Sequence, residues 1–298
     1  MKKIALILTG FIRDYKNLED KLEFIRNNQD FEIDVFIGTY DIVGLPCKEP
    51  TDSKAYIENS EYLDYEKIDS LLSPEGVFTL KYLKSKKRVK DFYDSNKWDI
   101  VASKGSMLAT QSKRNGEEIT DEFVLRRSLS QWNLVKWAHN NFRQHCEKKN
   151  KKYDCVIRAR FDVNLHSLNL KEVSENFSAD TIYTENKVEP RGIITQGNSV
   201  ISDWFALGDQ KSMEIYCNLG KLSNYNFIFN NKDFIKHNDV FYDEVGKSIQ
   251  LSSERTLTYW LFEVNKLNFS HIKPIGLGVK RAAKYFSKYK QKVLEDKR

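Results

Sequence analysis

Residues 153–165 read YDCVIRARFDVNL, and from Cys155 onward every second position is apolar or small: Cys155, Ile157, Ala159, Phe161, Val163 and Leu165. The intervening positions from Arg158 on are Arg158, Arg160, Asp162 and Asn164. A period of two is the strand period. The segment therefore predicts a strand with one face in a core and the other carrying two guanidiniums, a carboxylate and an amide. That second face has to meet either solvent or a polar cavity.

Other segments supply the partners for such a strand. KKIALILTG (2–10), FEIDVFIGTYD (31–41), TIYTE (181–185) and NSVISDWFALGD (198–209) read as strands. Helical spacing predicts a helix over 16–28 through Leu18, Leu22 and Ile25. A long helix begins with Thr120 as cap and Glu118 and Glu122 at its positive end. It runs to about 149 through Leu125, Leu129, Trp132, Val135, Phe142 and Cys146. Further helices are expected over 210–219 and over 252–267, the latter capped by Ser252 or Ser253. Strands alternating with helices point to an α/β fold with a mixed, mostly parallel sheet, whose binding sites lie at the carboxyl ends of strands. The stretch 42–118, with Pro46, Pro50, Pro74 and runs such as KSKKRVK, predicts loops with short elements. The reading is one domain over 1–278, with 42–118 as an irregular insertion, and a basic tail over 279–298.

Composition excludes several classes. With 298 residues, 40% of them hydrophobic and 13% aromatic, the chain can bury a sizeable core. KIALIL is too short for a signal-peptide core, and no apolar run approaches the roughly 20 residues that cross a bilayer. Cys47, Cys146, Cys155 and Cys217 show no C-x-x-C spacing, which fits free thiols in a reducing cytoplasm. No G-x-G-x-x-G, P-loop or G-x-S-x-G occurs. His139 and His145 miss the i, i+4 spacing of a metal pair, and His166, His237 and His271 are isolated, which argues against a zinc hydrolase. The net charge of +6 suggests an anionic partner. Nucleic acid fits poorly, because 42 acidic residues are mixed throughout and no RRM, KH, helix-turn-helix or zinc-finger signature appears.

Four constellations could carry chemistry. Arg158 and Arg160 sit roughly 6.5–7 Å apart along a strand, so each could grip a phosphate bidentately. Asp162 and Asn164 form a D-x-N pair of hard oxygen ligands suited to a divalent cation. The alternative for all four is a solvated strand face. Thr9-Gly10 followed by Arg13 has the form of a nucleotide-contacting turn, or of a plain turn glycine with a surface arginine. Asp203 before Trp204 and Phe205 could recognise sugar hydroxyls while the aromatics stack on a ring, or it is a turn aspartate. Glu254, in the first turn of a helix, is either a cap residue or a general base for an acceptor hydroxyl.

The ordered set T-G-x-x-R (9–13), DVFIGTYD, RRSLSQWNLVKWA, YDCVIRARFDV, SDWFALGD-x-x-x-M and S-E-R-x-L resembles the WavE-like capsule and lipopolysaccharide glycosyltransferases of bacterial surfaces. The likeness spans Leu8 to Leu261 and lies in order and spacing more than in any single motif. It implies a GT-A-like, Rossmann-related fold and a nucleotide-sugar-dependent transferase acting on a surface glycan. It places Thr9, Gly10, Arg13 and Gln131 beside the nucleotide, and Arg158, Arg160 and Asp162 at the diphosphate corner. Asp203 and Trp204 fall to the donor or acceptor sugar, and Glu254 with Arg255 to the acceptor side. The expected catalytic set is Asp162, Asp203 and Glu254.

Thr9 stands where the family usually has serine, and no D-x-D occurs. The expectation is therefore either weak Mg²⁺ or Mn²⁺ assistance at Asp162 and Asn164, or two arginines that neutralise the leaving diphosphate without a cation. The tail VKRAAKYFSKYKQKVLEDKR carries eight Lys or Arg with Tyr285, Phe286 and Tyr289 interleaved. It is either a solvated tail or a helix that lies on an anionic membrane surface, at the inner face of the cytoplasmic membrane beside a lipid-linked acceptor. The alternatives to sugar transfer are sugar-phosphate or polyol-phosphate transfer on the same scaffold, a nucleic-acid-binding protein, and a non-catalytic glycan binder.

Overall fold

The computed structural model describes residues 1–43, 61–82, 121–166, 168–187, 200–229, 231 and 253–272. The expected cap at Thr120, the side chain of Arg255, much of 42–118 and the tail 279–298 lie outside them. The strands are β1 (Lys3–Gly10), β2 (Glu32–Tyr40), β3 (Gly76–Leu80), β4 (Cys155–Arg160), β5 (Thr181–Lys187), β6 (Val200–Ile201), β7 (Phe205–Gly208) and β8 (Asn268–Ile272). They form one sheet in the order β3-β2-β1-β4-β7-β5-β6, with β8 paired to β5.

KIALIL is apolar on both faces, which suits a central strand, and Ile4 through Leu8 are all buried. β2 and β4 flank β1 in parallel, and β3 joins β2 in parallel. β7 runs antiparallel between β4 and β5. This is the expected mixed, mostly parallel sheet flanked by helices.

The described helices are α1 (Lys16–Asn27), α2 (Tyr65–Leu72), α3 (Asp121–Lys149), α4 (Leu170–Glu175), α5 (Gln210–Asn218), α6 (Leu222–Phe229) and α7 (Ser253–Thr258). The stripe Leu129, Trp132, Val135, Phe142 and Cys146 packs α3 on one face of the sheet against Ala5, Ile7, Phe36 and Val156. Met213 and Tyr216 of α5, Tyr225 of α6 and Leu257 of α7 complete that layer. On the other face, Leu18 and Phe24 of α1 and Ile68 and Leu72 of α2 cover Leu6, Leu8, Val35, Ile37 and Ile157. Helix and sheet approach closely at Gly38, where an added Cβ would lie 2.2 Å from the Ala138 Cβ.

The structure departs from the sequence reading in three places. The strand through 153–165 ends at Arg160, because the Val163 N–H turns back to the Arg160 carbonyl at 3.2 Å. Asp162 therefore sits in a tight turn and Asn164 beyond it. The run 198–209 is two strands, interrupted where the Trp204 N–H bonds the Ser202 hydroxyl at 3.3 Å. The helix at 253 passes from α7 into a π-helical turn, Tyr259–Val264, before the chain reaches β8. The short elements expected within 42–118 include α2 and edge strand β3. Among the described residues no helix is long and apolar enough to cross a membrane.

Candidate functional site

Both faces of β4 are covered, so its polar row does not meet bulk solvent along its length. Val156 and Arg158 lie in the layer under α3, and Arg158 is 1% exposed. Its Nε donates to Thr9 Oγ1 at 2.9 Å, and Nη1 donates to the Asp203 carbonyl oxygen and, at 3.3 Å, to the Tyr216 hydroxyl. The guanidinium lies 5.9 Å from the Trp132 ring centroid. A buried cation is tolerable only when its donors find acceptors, and here strand β1, the break before β7 and helix α5 supply them.

One strand pitch further, Arg160 reaches the carboxyl rim of the sheet. Its Nε and Nη2 donate to Asp162 Oδ1 and Oδ2 at 2.9 and 2.6 Å, a two-pronged pair. Arg13, from the turn after β1, brings Nη1 to 3.4 Å from the same Oδ2. Burial alone would raise the Asp162 pKa, but the field and hydrogen bonds of Arg160, with Arg13 behind them, hold it below the ordinary carboxylate value. Burial works against the Arg160 charge too, yet Asp162, then Asp203 and Glu254, hold its pKa above the ordinary value.

Gly10 ends β1 with φ +121 and has open space where a Cβ would stand. Backbone conformation rather than crowding therefore calls for glycine where the chain swings toward Arg13. Asp203 lies at the break before β7, 7% exposed, and its Oδ2 accepts from Gln131 Nε2 of α3 at 2.8 Å. The Trp204 carbonyl accepts from the Arg160 N–H at 2.9 Å, which fixes the β7 entrance beside the β4 exit. Glu254 is half-buried in the first turn of α7, and its neighbour Ser253 accepts from Trp132 Nε1 at 2.7 Å.

Thr9, Gly10, Arg13, Gln131, Arg158, Arg160, Asp162, Asp203 and Glu254, drawn from distant parts of the chain, thus gather at one end of the sheet. Trp204 stands at the same rim but packs its ring against the opposite core, with Glu185 beside it.

Asn164 does not join this group. Its Oδ1 accepts from the His166 backbone N–H at 3.2 Å and touches His166 Nδ1. Asp162 gives both oxygens to guanidiniums. The D-x-N ligand pair expected at Asp162 and Asn164 is therefore corrected: the intervening turn sends the two side chains to different partners, and they do not fit a cation held between them. Among the described residues no group of three or more His, Cys, Asp or Glu side chains is arranged to hold a metal ion.

Sequence reasoning missed Tyr216, which sits under Arg158, and the Ser128–Tyr225 hydroxyl pair at 3.1 Å behind Gln131. Both tyrosines are buried on helices, and nothing local in the sequence distinguishes a core tyrosine that serves a buried cation. It also missed Asp20 and Lys21, for which a signal existed: Lys21 falls on the apolar stripe of Leu18, Leu22 and Ile25.

No protein-family model matches the chain, and no curated protein sequence does. Among solved structures, it is similar to a galactosyltransferase, LgtC, in complex with donor and acceptor sugar analogs. That match has 8% identity and a TM-score of 0.39, over 90% of this chain and 73% of the other. An active-site mutant of LgtC matches at 10% identity and a TM-score of 0.38, over 90% and 72% of the two chains. The apo-form glycosyltransferase GlyE of Streptococcus pneumoniae matches at 8% identity and a TM-score of 0.33, over 91% of this chain and 45% of GlyE. Overlaps this loose do not bear on chemistry.

Proposed function

We propose that the chain is a glycosyltransferase that moves a sugar from a nucleotide-sugar donor to a bacterial surface glycan, of capsule or lipopolysaccharide type. The supporting observation is the convergence of Arg13 and Arg160 on Asp162 at the ends of β1 and β4, with Asp203 and Glu254 close enough to stabilise the Arg160 charge. Arg160 spends Nε and Nη2 on Asp162, and the carboxylate holds the guanidinium plane in place. The Nη1 hydrogens remain to meet a phosphate oxygen. Arg13, whose side chain is 36% exposed, can swing onto the same diphosphate.

In the reaction the acceptor hydroxyl oxygen forms a bond to the sugar's anomeric carbon. The bond from that carbon to the phosphate oxygen breaks, and the electron pair leaves with the nucleoside diphosphate. The hydroxyl proton passes to a carboxylate, a role for Glu254 with Asp203 binding sugar hydroxyls. Developing charge on the departing diphosphate is met by the two guanidiniums, of which Arg160 is already oriented by Asp162 before reaction. Arg158 takes the place of a support: it holds Thr9 and the Asp203 carbonyl so that the rim keeps its shape. Phosphosugar transfer on the same scaffold would use the same arginines. Arg255 on the acceptor side, and the basic tail at an anionic membrane, belong to this reading as expectations of the resemblance.

The test is calorimetric titration of the protein with UDP-, GDP-, CMP- and dTDP-sugars, alongside Arg160→Ala. One donor should bind, and the variant should bind it on the order of tenfold to a hundredfold more weakly, the worth of charge-assisted hydrogen bonds. Failure of every donor to bind, or wild-type affinity in the variant, overturns the proposal.

A further inference from the structure

A second charged cluster lies directly beneath the rim and takes no part in the chemistry above. Asp20 and Lys21 of α1 are 6% and 1% exposed, and Lys21 Nζ donates to Asp20 Oδ2 at 2.7 Å. Lys21 Nζ also donates to the carbonyl oxygen of Val163, and the same Asp20 Oδ2 accepts from the Leu165 N–H at 3.1 Å. The two side chains thus hold the backbone on the carbonyl of one residue and the amide of another.

That backbone is the far arm of the turn carrying Asp162. Val163 closes the turn through its N–H on the Arg160 carbonyl, and Phe161, Val163 and Leu165 anchor it in the core with side chains that are almost fully buried. His166, with 46% of its side chain exposed, brings Nδ1 to 3.6 Å from Asp20 Oδ1 at the outer end.

A buried ion pair is an unusual way to stabilise a helix–sheet contact, since apolar residues of the same volume often do as well or better. Its distinctive contribution is directional. A lysine and an aspartate can fix a carbonyl and an amide at defined points, whereas leucines could only fill the space. Losing that grip would free the turn to rotate, and with it the carboxylate that aligns Arg160. Placement errors of about 1 Å at such a site are costly to binding and rate.

We propose that Asp20 and Lys21 are positioning residues for the diphosphate subsite: they set the Asp162 turn, and through it the orientation of Arg160 and Arg13, without touching the ligand. This rests on the diphosphate reading above, and the experiment separates the two. UDP, GDP and dTDP are titrated into the wild-type protein, Lys21→Met, the double variant Asp20→Leu/Lys21→Met, and a surface control, Lys211→Ala, with urea unfolding measured for each. If the wild type binds none of them, the diphosphate reading itself fails.

If one binds, Lys21→Met is expected to lose both stability and affinity, having stranded a buried carboxylate. The double variant is expected to regain most of the stability while still binding at least about tenfold more weakly than wild type, the mark of lost alignment rather than lost folding. The control should match wild type in both measurements. A double variant that recovers stability and affinity together overturns the proposal. Hydrogen exchange on the unmodified protein decides the matter independently if the double variant does not fold. Nucleotide binding should slow exchange at the Leu165 amide, and protection confined to the rim with Leu165 unchanged overturns it.

Discussion

Arg158 and Arg160 leave the same face of β4, yet Arg158 is 1% exposed while the Arg160 side chain is 20% exposed and ends at the rim. The difference follows from what lies above each one: α3 and α5 roof the first, and the second has only the turn that follows it. Arg158→Met should therefore destabilise the fold by on the order of 3 kcal/mol, because the Thr9 hydroxyl, the Asp203 carbonyl and the Tyr216 hydroxyl lose a shared donor. Arg160→Met should destabilise by about 1–2 kcal/mol, less than Arg158→Met because Arg13 stays 3.4 Å from the Asp162 carboxylate, while abolishing most nucleotide binding. Urea midpoints at constant slope, set against nucleotide titration, distinguish the two arginines.

The hydrogen bond from Gln131 to Asp203 at 2.8 Å ties the long helix to the β7 entrance. A double-mutant cycle of Gln131→Leu and Asp203→Asn should return a coupling of about 1–2 kcal/mol in nucleotide-sugar affinity. Additive losses would mean that the two act separately.

His139 is buried on α3 with no hydrogen-bond partner for either ring nitrogen among the described residues. Burial first, then Lys136 and Arg143, push its pKa down to about 3. The folded value lies below the unfolded one, so the native state binds fewer protons. The stability margin is intact above about pH 6.5 and falls by about 1.4 kcal/mol per unit as the pH drops from there toward 3. His139→Leu should flatten that slope, and at pH 7 it should be neutral or stabilising. Chemical denaturation of both proteins between pH 4.5 and 8 on any standard buffer series is the measurement.

Gly38→Ala would drive a methyl into Ala138 at 2.2 Å and should cost about 1–3 kcal/mol by overpacking. Adding Ala138→Gly should recover most of the contact strain. Thermal unfolding of the single and double variants tests whether the α3–β2 approach is the cause.

Much of this was legible in the residues. KIALIL, apolar on both faces, marks a central strand, and the spacing of Leu129, Trp132, Val135 and Phe142 marks the helix that roofs it. The residues alone offered Arg13, Arg160 with Asp162, Asp203 and Glu254 as separate candidates, and only the resemblance in motif order implied that they belong together. Local pattern fell short where a turn interrupts a period. Alternation continues in the letters through Leu165, although the backbone turns after Arg160, and the extrapolated period wrongly paired Asp162 with Asn164. Pattern could not tell whether the polar row met water or a helix, since that depends on where α3 and α5 pack. Edge strand β3 went unread because GVFTL is short and only half-buried, too weak a signal to separate from its surroundings.

The reversed direction of β7 has a consequence for how this sheet could diversify. In a wholly parallel arrangement each strand contributes its outgoing end to the ligand side, so new chemistry has to be added downstream of a strand. Here a segment on its way into the sheet, Ser202–Trp204, supplies the Asp203 carboxylate and the carbonyl that secures Arg158. Changes in the connection upstream of β7 can therefore reshape the Asp203 side of the rim while the parallel strands β1 and β4, which lead to Arg13 and Arg160, stay as they are.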